Sequence, residues 1–132
     1  MKSEIGKSLE QIKDGNIIVY PTDTIWGLGC DATNQSAVEK VYKIKNRSES
    51  KSLIILVDGI EMLETYVDTV PDIIQKYLKT ATKPTTVIYS KPKGLASNVV
   101  ANDDTVAIRI VKNEFCKALI KAFGKPIVST SA

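Results

Sequence analysis

The sequence predicts an α/β fold in a single domain, on three observations. Segments of helical and of strand-like periodicity alternate from one end to the other, caps and stops separate them, and no repeat, low-complexity tract or linker divides the chain. With 132 residues, 43% hydrophobic and 25% charged, the chain is long enough to bury a sizeable core.

Ile5, Leu9 and Ile12 recur at helical spacing and Asp14-Gly15-Asn16 supplies a stop before the β-rich run Ile17–Tyr20. Asn34 caps a second helix with Ala37, Val38, Val41 and Tyr42 on one face, and a polar loop leads to a strand from Leu53 to Val57. Asp58 and Pro71 each open a short helix, and Thr85–Tyr89 reads as a strand. After a loop containing Pro92 and Gly94 comes the strand Thr105–Ile110. Asn113 then caps a helix through Phe115, Leu119, Ile120 and Phe123. Gly124 and Pro126 end it before the strand Ile127–Ser129. A domain rarely ends on a strand, so residues 1–132 are expected to form one domain that is incomplete at its C-terminus.

Composition excludes several chemistries. There is no histidine, so Ser-His-Asp hydrolysis, Cys-His proteolysis and HExxH zinc hydrolysis are out. Cys30 and Cys116 lack metal or disulfide spacing, and no metal site is expected in the protein. Neither GxGxxG nor GxxxxGK[ST] occurs, so any nucleotide must be held by dispersed side chains. Apolar runs such as Leu53–Val57 are too short to span a bilayer and no signal peptide begins the chain, which makes the cytoplasm the expected compartment. A net charge of +3 permits an anionic ligand without demanding a nucleic-acid surface.

Three clusters could carry chemistry. Pro21–Gly29 offers the hydroxyls of Thr22 and Thr24, the carboxylate of Asp23, and two glycines that admit close approach. Taken alone, it fits a turn and bulge between two strands better than a ligand loop. Lys43, Lys45, Arg47 and Lys51 gather at and beyond the end of the second helix, where they either answer the helix dipole or bind a triphosphate. Alternation puts Arg109 on one face of its strand with Thr105 and Ala107, away from Val106, Ile108 and Ile110. Ser129 and Ser131 share a face of the last strand.

In this order the pieces resemble the YrdC/YciO-type domain family, whose enzymes are threonylcarbamoyl-AMP synthases of tRNA threonylcarbamoyladenosine formation. The resemblance runs from the PTDT segment into GLGCDA (Tyr20 to Ala32), through Lys45-Asn46-Arg47 and Val106 to Arg109, to Thr130-Ser131-Ala132. It implies a twisted mixed α/β sheet with flanking helices and a positive cavity for ATP and L-threonine. Lys45 and Arg47 then match the catalytic pair at the ATP phosphates, with Lys51, Thr105 and Ser131 as further nucleotide contacts. Thr24, Arg109 and Ser129 match positions on the threonine side. Bicarbonate is the third substrate, Mg²⁺ accompanies ATP, and the product passes to the tRNA threonylcarbamoyl transferase machinery. Ser48 and Ser52 replace prolines common in the family, Ala81–Thr85 stands for a Trp-Pro-Gly-Pro run, and Leu56 falls where some members have a histidine contacting threonine. Two other readings are a module binding structured RNA through the same positive cavity, and a YciO-like paralogue with different chemistry.

Overall fold

The computed structural model describes residues 2–21, 26–45, 53–83 and 85–131. Their order is α1 (Lys2–Lys13), β1 (Ile18–Pro21), β2 (Trp26–Asp31), α2 (Gln35–Lys45), β3 (Ile54–Val57), α3 (Ile60–Tyr66), α4 (Asp72–Thr80), β4 (Thr86–Ser90), β5 (Thr105–Ile110), α5 (Glu114–Phe123) and β6 (Ile127–Ser131). The strands form one six-stranded sheet ordered β1-β2-β6-β3-β5-β4. Only β3 and β5 run parallel, so the sheet is mixed, as the family resemblance implied.

Local chemistry explains most of the boundaries. The Asn34 carboxamide accepts from the Ala37 amide at 3.1 Å and Asn113 does the same for Cys116 at 3.1 Å, so each satisfies an orphan donor of a first helical turn. Gly124 closes α5 in the left-handed region (φ 79°), its N–H reaching the Ile120 carbonyl at 2.8 Å. Asn113→Ala should cost about 1 kcal/mol, a drop of roughly 3–5 °C in melting temperature, measurable by thermal unfolding. One boundary differs from expectation: α3 is capped at Gly59, one residue past Asp58, while α4 opens directly after Pro71, as read. The larger difference is β2, a strand drawn from what read as a glycine-rich turn. Its Leu28 and Cys30 alternate with Gly27 and Gly29, and the two-residue period carries the pairing despite the glycines.

The sheet separates two apolar layers. On one face Cys30, Ile55, Val57, Val106, Ile108 and Val128 pack with Val38, Val41 and Tyr42 of α2 and Leu63 of α3. On the other, Ile18, Tyr20, Leu56 and Ile127 pack beneath Ile12 of α1 and Cys116, Leu119 and Ile120 of α5. Each such side chain, fully buried, is worth about 1.5–3 kcal/mol. Among the described residues, no helix is long and apolar enough to cross a membrane.

Candidate functional site

The register decides what lies on the face shared with α1 and α5. Directly paired residues point to the same side, so three rows can be followed across the strands. The first joins Tyr20 and Gly27, the second Ile18, Gly29, Ser129, Ile54, Ala107 and Ile88, and the third Asp31, Ile127, Leu56, Arg109 and Thr86. Thr105 belongs to the same face, two residues before Ala107. The helices cover Ile18, Leu56 and Ile127. The rest of the face is a mixed tract: the Tyr20 ring against buried Gly29, the Asp31 carboxylate, Ile54, Ile88 and Ala107, the hydroxyls of Thr86, Thr105 and Ser129, and the Arg109 guanidinium.

Arg109 lies where alternation put it: Val106 and Ile108 are buried on the opposite face. Its Nε–H donates to the Thr86 hydroxyl at 3.0 Å, which orients the guanidinium and leaves its terminal nitrogens available. On the same face Leu56, directly beside Arg109 in the parallel register, is buried and forms an apolar wall there. Ser129 faces the tract two strands away, roughly 10 Å from Ala107 at ordinary strand spacing. The Thr105 hydroxyl donates to the Asp103 carboxylate at 2.6 Å, so it meets a ligand as an acceptor.

Beneath the tract sits Tyr20. It is 1% exposed, and its ring lies against Gly29 so closely that a Cβ there would overlap Tyr20 Cε1. Its hydroxyl donates to the Val128 carbonyl at 3.4 Å. Burial pushes its pKa up, so the phenol stays protonated. Cys30 points the other way, and burial pushes its thiol up to about 12, which removes it as a nucleophile.

Two members of the basic cluster, Lys43 and Lys45, stand in the last turn of α2. The connection 32–34 turns the chain back after β2, so α2 ends toward the edge of the sheet where β2 and β3 begin and where Ser131 and Thr105 lie. Lys45 is the last residue of α2. Lys43 is exposed and sits 4.0 Å from Glu39, an i,i+4 surface pair. Thr24, Arg47 and Lys51 lie outside the described residues. Among the described residues, no group of three or more His, Cys, Asp or Glu could hold a metal.

Sequence reasoning missed Thr86 and Tyr20 as parts of this site. Thr86 was read as a strand residue, but its place beside Arg109 depends on pairing between strands. Tyr20 was read as the leading residue of a motif, although a large phenol two residues from an apolar strand position already signalled a buried hydroxyl in need of a partner.

A model of the Sua5/YciO/YrdC family, described as "Telomere recombination", matches residues 10–132. The chain belongs to this family. The threonylcarbamoyl-AMP synthase of Pseudoalteromonas translucida is 36% identical over 99% of the chain and 72% of its own length. The structure of P. abyssi Sua5 complexed with L-threonine matches with a TM-score of 0.91 at 26% identity, over 99% of the chain. E. coli YciO matches with a TM-score of 0.85 at 26% identity, over 98% of the chain. The chain spans 39% of the Sua5 chain and 64% of the YciO chain.

Proposed function

We propose that the chain acts as a threonylcarbamoyl-AMP synthase, a nucleotidyltransferase that joins L-threonine, bicarbonate and ATP and releases pyrophosphate, serving tRNA threonylcarbamoyladenosine modification. The observation that carries the reading lies in that tract. A Thr86-anchored arginine fork and the Ser129 hydroxyl share one sheet face. A fork suits a carboxylate, and a hydroxyl suits a small polar amino acid.

In this reading Arg109, Ser129 and Thr24 hold L-threonine. The threonine amine attacks the bicarbonate carbon, losing a proton, and water leaves to give the carbamate. A carbamate oxygen then attacks the α-phosphorus of ATP and the bond to pyrophosphate breaks. Lys45 and Arg47 neutralise the charge growing on the departing pyrophosphate, while Lys51, Thr105 and Ser131 hold the nucleotide. Mg²⁺ enters with ATP as its counter-ion. With no histidine in the chain, rate arises from positioning two substrates and from fixed charge, not from a tuned base. Residues 1–132 work as one YrdC-like domain in the cytoplasm, handing the adenylate to the tRNA threonylcarbamoyl transferase machinery.

Pyrophosphate release with ATP and bicarbonate, with and without L-threonine, tests this. Threonine-dependent release is expected, and Arg47→Ala should lower it about 100-fold or more. Release at the parent rate by that variant would remove Arg47 from the mechanism. ATP binding without threonine-dependent release would leave the fold without this chemistry.

A further inference from the structure

We propose that a cavity of about 440 Å³ between the β3–α3 connection and α5 binds a zwitterion of dipeptide size, with its ammonium on Asp58 and Glu61 and its carboxylate on Lys117 and Lys121. None of the lining residues belongs to the tract described above, and the inference does not depend on the synthase reading.

The cavity follows from how two neighbouring strands end. β3 and β5 run parallel and side by side, and the Val111 N–H donates to the Val57 carbonyl at 3.0 Å as both leave the sheet. From there the chain departs to opposite faces: α3 buries Leu63 in the layer of α2, whereas α5 buries Leu119 and Ile120 in the layer of α1. Neither helix closes the gap at the strand ends. In open α/β sheets, small ligands bind at the carboxyl ends of strands where successive connections part in this way. The volume also falls within the range of small-molecule sites, roughly 300–1,000 Å³. This is the end of the sheet opposite to that of Ser131 and Thr105.

The two walls carry opposite charge. Asp58 and Glu61 stand on one side with half-buried Ile60 between them, and Lys117 and Lys121, one helical turn apart, stand on the other. Among the described residues, none of these four charges forms an ion pair. The walls are too far apart to satisfy one another, and a third body that carries both charges can bridge them. A lone anion meets the carboxylates and a lone cation meets the lysines, so the frame selects for a molecule bearing both. Ile60 offers an apolar contact midway, and a Cβ on Gly59 would meet nothing within 4 Å, which leaves room beside the backbone.

The test is a titration followed by the backbone amide NMR signals of residues 58–61 and 117–121, at low salt. The probes are glycyl-L-leucine, its N-acetyl form, which lacks the ammonium, and its amide, which lacks the carboxylate. The dipeptide is expected to shift these two segments, and each blocked form to bind about 5-fold more weakly. Asp58→Asn with Glu61→Gln should abolish the discrimination against acetylation and keep that against amidation, and Lys117→Gln with Lys121→Gln should do the reverse. The amide spectrum of each variant also reports that it is folded. No shift in these segments at about 20 mM dipeptide overturns the proposal. So do equal affinities for the three probes, the same loss in both double variants, or shifts centred on Arg109 and Ser129 instead.

Discussion

Arg109→Ala is expected to weaken L-threonine by about 2–3 kcal/mol, roughly 30- to 150-fold, while ATP affinity stays within about twofold. The asymmetry is the informative part. A guanidinium bonded to a carboxylate contributes two charge-assisted hydrogen bonds, and both vanish with the side chain. The cost to folding should be small, because the bond from Arg109 to Thr86 is solvent-exposed. Arg109→Lys keeps the charge but loses the fork and the Nε anchor, so it should recover only part of the affinity. Threonine KM in the pyrophosphate assay and calorimetric Kd should move together. If neither changed, Arg109 would be a surface residue and the amino-acid end of the site would have to lie elsewhere.

Gly29→Ala should instead remove stability and binding together. The added methyl would overlap the Tyr20 ring at Cε1 and stand 2.9 Å from the Val128 carbonyl oxygen. Neither neighbour can yield easily, since the ring is buried against α1 and α5 and the carbonyl belongs to the paired strand β6. Overpacking of this kind costs about 3 kcal/mol, a fall of roughly 10 °C in melting temperature. Adding Tyr20→Leu to this variant should restore part of the stability, because a shorter side chain vacates the clash with the ring while the close approach to the Val128 carbonyl remains. Threonine binding should stay impaired. Denaturant titration of the three variants separates these effects, and an unaltered midpoint for Gly29→Ala alone would contradict the packing described.

The sequence disclosed what is local. The caps at Asn34 and Asn113 and the stop at Gly124 needed only neighbours within four residues, and each lies where it was read. Alternation along β5 was enough to put Arg109 with Thr105 and Ala107. The strand order β1-β2-β6-β3-β5-β4 was beyond reach, because which strands pair is decided by contacts far apart in the chain. The bond from Tyr20 to Val128 spans 108 positions. For the same reason Thr86 could be assigned to a strand but not to Arg109. The glycines of β2 hid a strand behind turn chemistry, and only Leu28 and Cys30 betrayed its period. Of the residues matched to the family's site, Arg109, Ser129 and Thr105 are brought to one face, while Thr24, Arg47 and Lys51 lie outside the described residues.

The place of β6 has a kinetic consequence. Among the described strands it comes last in sequence, yet it lies inside the sheet, with β2 on one side and β3 on the other. Until residues 127–131 have left the ribosome, β1 and β2 pair as a hairpin backed by α1 and α2 but lack the strand that joins them to the rest of the sheet. The β3-β5-β4 half meanwhile holds an open edge at β3, able to pair with another chain. Closure then joins segments more than 70 residues apart in one step, as the register between Ile54 and Ser129 requires. High-contact-order closure of this kind is slow, so folding should be rate-limited by docking of β6, and conditions that delay it should favour aggregation through β2 and β3.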